Sequence, residues 1–430
     1  MSIQENPVAL FWFRRDLRLE DNVGLSKALC SGYPVVPIFI FDDEILNELD
    51  PSDARVSFIH DCLVDMDQQL DKVQSGLIMC NGNPLDVFKS LLTEWEVAEV
   101  YANHDYEPYG IQRDEQIETL LQTKNIAFKS YKDQVMVEKS EVVKADGKPY
   151  TVYTPFKNKW LQHIDLNAVE PVFNPPKSNW YKSKGRLLSL KEMGFEKSTI
   201  EVKSFNISDL GDYAVNRDLP AIDKTSYLSP HLRFGTVGIR TILSKVKDNA
   251  VFVSELIWRE FFMQIMYHFP DVVEHNFKRK YDGIEWRNDT DEFEKWCSGN
   301  TGYPMVDAGM RQLNATGYMH NRVRMVTASF LCKHLLIDWR WGEAYFAIKL
   351  LDFELSSNNG NWQWAAGTGC DAAPYFRIFN PTEQLKKFDG QWAYVKQWVP
   401  ELATEQYPEP MVDHKMARKR ALDTYKIGLG

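Results

Sequence analysis

A chain of 430 residues, 44% hydrophobic and 26% charged, is long enough for two or three domains and has the make-up of a water-soluble globular protein. Its net charge of −10 argues against indiscriminate nucleic-acid binding but leaves room for a local basic face, since affinity follows the charge on one surface. No apolar run approaches a membrane span, the start MSIQENPVALFWFRRD lacks a signal-peptide layout, and six scattered cysteines without a Cys-x-x-Cys pair read as reduced, mostly buried thiols of a cytoplasmic protein.

Strand and helix patterns alternate over the first ~130 residues. VALFWF (8–13) predicts a buried strand, followed by a helix over 21–30. VVPIFIF (35–41) is a second strand, and a long amphipathic helix covers 53–73. GLIMC (76–80), a helix opening at Pro84, EVAEVYAN (96–103), a helix over 110–123 and IAFKSY (126–131) complete the series. Such alternation implies a doubly wound parallel sheet, Rossmann-like in topology only, because FRRDLRLEDN stands where G-x-G-x-x-G would follow the first strand. Residues 132–200, rich in Pro and Lys, read as a connector. From 201 to 430 helical periodicity dominates. Tryptophan usage shifts as well: Trp12, Trp95, Trp160 and Trp180 precede residue 200 and nine others follow it. The expected layout is therefore an α/β domain over 1–131, a connector over 132–200 and an all-α domain over 201–430.

Chemistry concentrates in the helical half. LLDFELSSNNGNWQWAAGTGCDAAPYFRIFNP (350–381) gathers Asp352, Glu354, Asn358, Asn359, Trp362 and Trp364, with Arg377 between aromatics beyond a Gly-rich turn. Buried amides need partners for every donor and acceptor, so amides beside acids and indoles suit a flat, hydrogen-bonding, aromatic ligand. In ELIWREFFMQIM, helical spacing puts Glu255, Trp258, Arg259 and Phe262 on one face; Leu256, Ile257 and Met263 supply the core face. Taken alone, Glu255 and Arg259 read as an intrahelical ion pair. In MHNRVRM, Asn321, Arg324 and Met325 share a face and Arg322 points elsewhere; Met325 alone reads as core filler. KTSYLSPHLRFGTVG (224–238) offers Thr225, Ser226 and Ser229 before Pro230, either a phosphate-binding helix start or an ordinary Ser N-cap. Tyr213 and Arg217 sit four apart upstream. His320 and His334 read as structural, and no metal-ligand spacing or hydrolase motif is present.

Taken together, FWFRRDLRLEDN, YTPFKNKW, TSYLSP, ELIWREFF, TGYPMVDAGMRQLNATGYMHNRVRM, LLIDWRWGEAYF, NNGNWQWAAGTGCDAAPYFRIFNP and YPEPMVDHKMARKRAL closely resemble the photolyase/cryptochrome family of flavoproteins. Within it, the chain looks most like a class I cyclobutane pyrimidine dimer photolyase. The resemblance implies one FAD in the helical domain, reduced in the active form and held by Tyr213, Thr225, Ser226, Tyr227, Leu228, Ser229, Phe252, Arg259, Arg324, Asp352, Phe353, Glu354 and Asn358. Glu354 stands where Asp is more usual. Asn358 matches the residue opposite flavin N5, where a neutral amide favours repair and the Asp of plant cryptochromes favours a neutral radical. The same resemblance assigns Glu255, Trp258, Asn321, Met325 and Trp364 to a pocket for the flipped-out dimer. It assigns Arg217, Arg322 and Arg377 to the strand of UV-damaged DNA, with Phe262 beside the pocket. Trp362, Trp339 and Trp286 match a chain that reduces oxidised flavin in light. The implied reaction is electron transfer from excited FADH⁻ to the dimer, by a monomer without metal or membrane attachment. An antenna chromophore is implied for the N-terminal domain; Tyr109 and Gly110 stand where folate users carry Asn-Glu, which counts against methenyltetrahydrofolate and leaves a deazaflavin, a second flavin or no antenna open. The alternative is a cryptochrome-type blue-light photoreceptor, against which the lack of a C-terminal extension counts.

Overall fold

The computed structural model describes residues 4–175 and 179–429. The chain opens β1(Gln4–Phe13), α1(Val23–Leu29), β2(Val35–Asp42), α2(Asp43–Leu46), α3(Ala54–Asp71), β3(Ile78–Gly82), α4(Pro84–Glu94), β4(Trp95–Asn103), α5(Pro108–Gln122), β5(Ala127–Tyr131). These strands form one parallel sheet of order β3-β2-β1-β4-β5, so both the predicted elements and the α/β class hold. Strand period explains the layering. Ala9, Phe11 and Phe13 point to the face covered by Leu25, Val56 and Leu63, whereas Val8, Leu10 and Trp12 point to Phe88, Leu91 and Ile117. Both faces of β1 are therefore dry, as a central parallel strand requires.

The strand order reverses beside β1, and the crevice at the carboxyl ends of β1 and β4 is the ligand-prone place in such sheets. Charge fills it. Arg14 pairs with Asp114, Arg15 with Glu107 at 2.9 Å, and Tyr109 donates to Asp42 at 2.5 Å. FRRDLRLEDN has a structural use as well: Asp133, buried between Arg18 and Arg240, and Asp21, 2.6 Å from Arg240, form a closed ion cluster.

The later elements are helical: α6(Tyr153–His163), α7(Tyr213–Asn216), α8(Leu228–Phe234), α9(Ile239–Val246), α10(Ala250–His268), α11(Thr290–Ser298), α12(Pro304–Thr316), α13(Asn321–Ser329), α14(Trp339–Lys349), α15(Leu355–Ala366), α16(Pro381–Phe388), α17(Ala393–Trp398) and α18(His414–Gly428). Two compact units result. One joins the sheet to residues 159–205 and Tyr227–Asp248; the other comprises 143–158, 206–226 and 249–430. The helical unit is organised around a core containing Trp296, Phe330, Trp339, Phe346 and Trp362. No helix among the described residues is long and apolar enough to cross a membrane.

Two sequence expectations need correction. α8 begins at Leu228 after Tyr227 (φ +52°), so Ser229 is the second helical residue and not the cap. Pro230 still fits, because amides of the first turn have no intrahelical acceptor. The six cysteines are free, but only Cys332 and Cys370 are buried; Cys30 is exposed. Small apolar side chains carry no signal that separates a core position from a rim one.

Candidate functional site

In the helical unit, α10 and α13 both pack against α15, so the three helices that carry most of the singled-out residues are neighbours. Helix α10 starts where the Asn249 side chain accepts from the Phe252 amide at 3.0 Å, a standard N-cap. Leu256, Ile257, Phe261 and Met263 are buried, and Glu255, Trp258 and Arg259 stay partly accessible. Phe262, grouped with them by spacing, is buried at 5% exposure because the face turns toward α15 there. Glu255 does not pair with Arg259. It takes Arg217 at 2.7 Å, and Arg217 also lies over the Tyr213 ring. Arg259 faces Glu354 at 3.9 Å. Tyr213 meets Phe252 edge to face at 5.0 Å.

Helix α13 presents the second set. The His320 side chain accepts from the Arg322 amide at 3.2 Å, which requires a neutral ring nitrogen. Burial, reinforced by Arg324 and Arg322 against Asp218, holds this histidine down at about 4, so the cap stays formed at neutral pH. Arg324 donates to Asp352 at 2.9 Å and to the Met319 carbonyl at 2.8 Å. Arg322 pairs with Asp218 at 2.8 Å and lies over Phe388. Asn321 is exposed and Met325 half-buried.

On α15 the two adjacent amides have different tasks. Asn359 is a bolt: it donates to the Val272 carbonyl at 2.9 Å and accepts from Gln363 at 3.1 Å. Asn358 donates both hydrogens to Glu343 of α14, to its carbonyl at 3.0 Å and its carboxyl at 2.9 Å. That fixes the amide orientation and leaves the Asn358 Oδ1 without a partner among the described residues. Burial pushes the Glu343 carboxyl up, offset by the Asn358 hydrogen bond. Glu343 escaped sequence reading because it lies on another helix; its place inside WGEAYF was the available signal. Ser357 donates to Glu354 at 2.8 Å, and Trp364 lines a small cavity with Ser329, Ala373, Pro374 and Arg377. The helices meet closely at two glycines: a Cβ at Gly342 would overlap the Trp362 ring, and one at Gly360 the Phe262 ring.

Trp362 and Trp339 are buried in one core, and Trp286 packs against its edge beside Tyr425. The Trp339 indole donates to Asn276 at 2.9 Å. Thr225 and Ser226 belong to the helical unit, whereas Tyr227, Leu228 and Ser229 belong to the sheet unit. The site carries an acceptor amide (Asn358), an ion-paired acid (Asp352) and a second acid (Glu354), a set of acceptors that suits the N–H groups of a flavin's polar edge.

Lys333 lies beneath the C-terminus of α15, in the π-helical turn Phe330–Leu335 that continues α13. It is 1% exposed, donates to the Ala366 carbonyl at 2.6 Å and sits 3.6 Å from the Tyr425 ring centre. The ring face and helix end favour the ammonium, yet burial dominates and lowers it to about 7. The unfolded chain therefore binds this proton below about 10.5, and folding releases it down to about 7. The resulting loss of stability grows as pH falls across that window and is complete below it. Lys333→Met should raise stability by roughly 1–4 kcal/mol at pH 6 and by much less at pH 10.5; Tyr425 still donates to Ala366 at 2.8 Å. Equal gains at both pH values in thermal unfolding would contradict this account.

Comparison with known proteins adds the following. The family described as DNA photolyase matches residues 9–177, and the one described as FAD binding domain of DNA photolyase matches residues 252–406. A deoxyribodipyrimidine photo-lyase of Halobacterium salinarum is 36% identical, the match covering 98% of this chain and 99% of that one. The crystal structure of a class III photolyase from Agrobacterium tumefaciens has a TM-score of 0.87 at 35% identity, covering 99% of this chain and 98% of that one. A Synechocystis cryptochrome structure has the same TM-score at 26% identity, covering 99% and 100%.

Proposed function

We propose a function from one premise: the chain belongs to the DNA photolyase family and carries that family's FAD-binding domain. It is an enzyme of the deoxyribodipyrimidine photo-lyase type that repairs cyclobutane pyrimidine dimers in DNA, with the sheet half serving an antenna chromophore at its switch-point crevice. The observation that carries the dimer specificity is the pairing of readers on two helices against α15: Glu255 and Trp258 from α10, Asn321 and Met325 from α13, with Trp364 on α15 itself. The partly accessible Trp258 and Trp364 would stack on two fused neighbouring bases whose pairing with the opposite strand is already weakened. Glu255 and the open amide of Asn321 satisfy base carbonyls and N–H groups. When bound, reduced FAD supplies the light-driven electron that opens the ring and takes it back. Tyr213, Phe252, Arg259, Arg324, Asp352, Phe353 and Glu354 would hold the cofactor, with Thr225 and Ser226 toward its phosphates, and the Asn358 Oδ1 would accept from a flavin N–H without adding negative charge.

Arg217, Arg322 and Arg377 meet the strand. Two of them rest on carboxylates, Arg217 on Glu255 and Arg322 on Asp218. Partly exposed pairs of this kind contribute only about 0.2–1 kcal/mol, so a phosphate replaces or joins the carboxylate at small cost.

The test is a thymine-dimer oligonucleotide mixed with anaerobically reduced protein. Dimers should disappear under near-UV or blue light and persist in the dark. Bound FAD with no dimer loss would instead favour a photosensor, the reading to which the cryptochrome likeness lends weight. Trp286→Phe separates the relay from the repair chemistry: photoreduction of oxidised flavin should slow at least tenfold, with repair by prereduced protein near normal. A repair defect in the prereduced variant would remove Trp286 from the relay.

A further inference from the structure

We propose that Tyr153 is a positioning residue for dimer selectivity, acting by sealing one face of Trp258; this rests on the dimer pocket proposed above. The two rings lie face to face, with centroids 3.5 Å apart and planes 6° from parallel. Aromatic pairs left to themselves prefer offset or edge-on contact, so a direct face contact has to be held in place. Three tethers hold it. The Tyr153 hydroxyl donates to the Ser254 carbonyl at 2.7 Å and lies 2.6 Å from the Ser254 hydroxyl. The Tyr153 amide donates to Asp371 at 3.0 Å, and the edge of Phe261 meets the ring at 5.8 Å. Lys157 joins by donating to the Ser254 hydroxyl at 3.2 Å. Ser254 lies one residue before Glu255 and one turn before Trp258, so the clamp grips the turn of α10 from which both proposed dimer readers project.

The consequence concerns which bases Trp258 accepts. An indole open on both faces slips between neighbouring bases of any flexible strand, because every base has a π-face. With one face held flush against Tyr153 and Phe262 leaning on the indole at 5.6 Å and 27°, Trp258 offers a base a single, narrowed approach. That geometry suits two fused bases presented as a single compact plate and disfavours insertion into intact stacked DNA. Tyr153 thus selects against undamaged strands as well as supporting the damaged one.

Tyr153→Leu removes the seal. Affinity for a dimer-containing single strand should weaken several-fold and affinity for the intact strand should hold or tighten, so the selectivity ratio falls by about tenfold. Tyr153→Phe keeps the ring and should retain the ratio within about threefold. FAD content, photoreduction and thermal midpoint serve as controls for general damage. Should Tyr153→Leu fail to fold, Tyr153→His, with a smaller ring, carries the test with a smaller fall expected. In a Trp258→Ala background Tyr153→Leu should change the ratio no further. If Trp258→Ala lowers the ratio but the folded Tyr153 variants do not, the Tyr153 inference fails alone. If Trp258→Ala leaves the ratio intact, the pocket itself fails.

Discussion

Replacing Asn358 by aspartate should cost the protein both stability and repair rate, more than any other single change at the site. The Asn358 amide nitrogen sits between two oxygens of Glu343, at 3.0 and 2.9 Å. An aspartate puts a third oxygen there, and the two carboxyls then meet only by sharing a proton. Burial already favours the neutral form of Glu343, so the pair holds that proton well above the usual carboxylate range. The unfolded chain lets it go near pH 4, so the folded variant loses ground as pH rises. Asn358→Asp should be destabilised by on the order of 2–3 kcal/mol at pH 8 and by less at pH 5. Repair by prereduced protein should drop at least tenfold, because the acceptor proposed for the flavin N–H becomes a charge or a donor. Thermal unfolding at the two pH values and single-turnover repair measure these effects. A variant equally stable at both, with normal repair, would mean that the Glu343 contact does not orient this side chain.

Trp258→Ala comes next. Stacking on an aromatic contributes about 1–3 kcal/mol per base by alanine substitution, so affinity for a dimer-containing strand should fall roughly ten- to a hundredfold. Affinity for intact DNA should change far less. The salt dependence discriminates between mechanisms, since it counts neutralised phosphates and not stacking. Binding titrations across salt concentrations should give a line of unchanged slope displaced to weaker affinity. A shallower slope would show that the variant had lost backbone contacts through a displaced Arg217.

The sheet was legible because period-2 strands and short connections leave one topology class, and β2, buried along its whole length, reads as a continuous apolar run. Helical spacing likewise groups Glu255 with Trp258, and both stay partly accessible on α10. What spacing cannot convey is which neighbour a side chain chooses. Glu255 has Arg259 one turn away yet pairs with Arg217, 38 residues earlier, because tertiary packing sets a side chain's partner more strongly than helical proximity does. Asn358 and Asn359 look equivalent in sequence; only the arrival of α14 on one side and Val272 on the other distinguishes an amide held for the site from one that bolts the core. Tyr153 stayed hidden for the same reason. Its partner is 105 residues away, and although Tyr153 opens the motif YTPFKNKW, nothing in that stretch says which ring it will meet.

Gly342 and Gly360 carry a consequence for anyone seeking a hardier version of this molecule. Each lies inside a helix, where alanine is normally preferred by close to 1 kcal/mol, and each would head a list of routine stabilising exchanges. Here the bare hydrogen is what allows an indole and a phenyl ring to lie flush against a neighbouring backbone. The usual engineering shortcut is closed at these two positions, and heat resistance has to be sought by changes that leave both glycines in place.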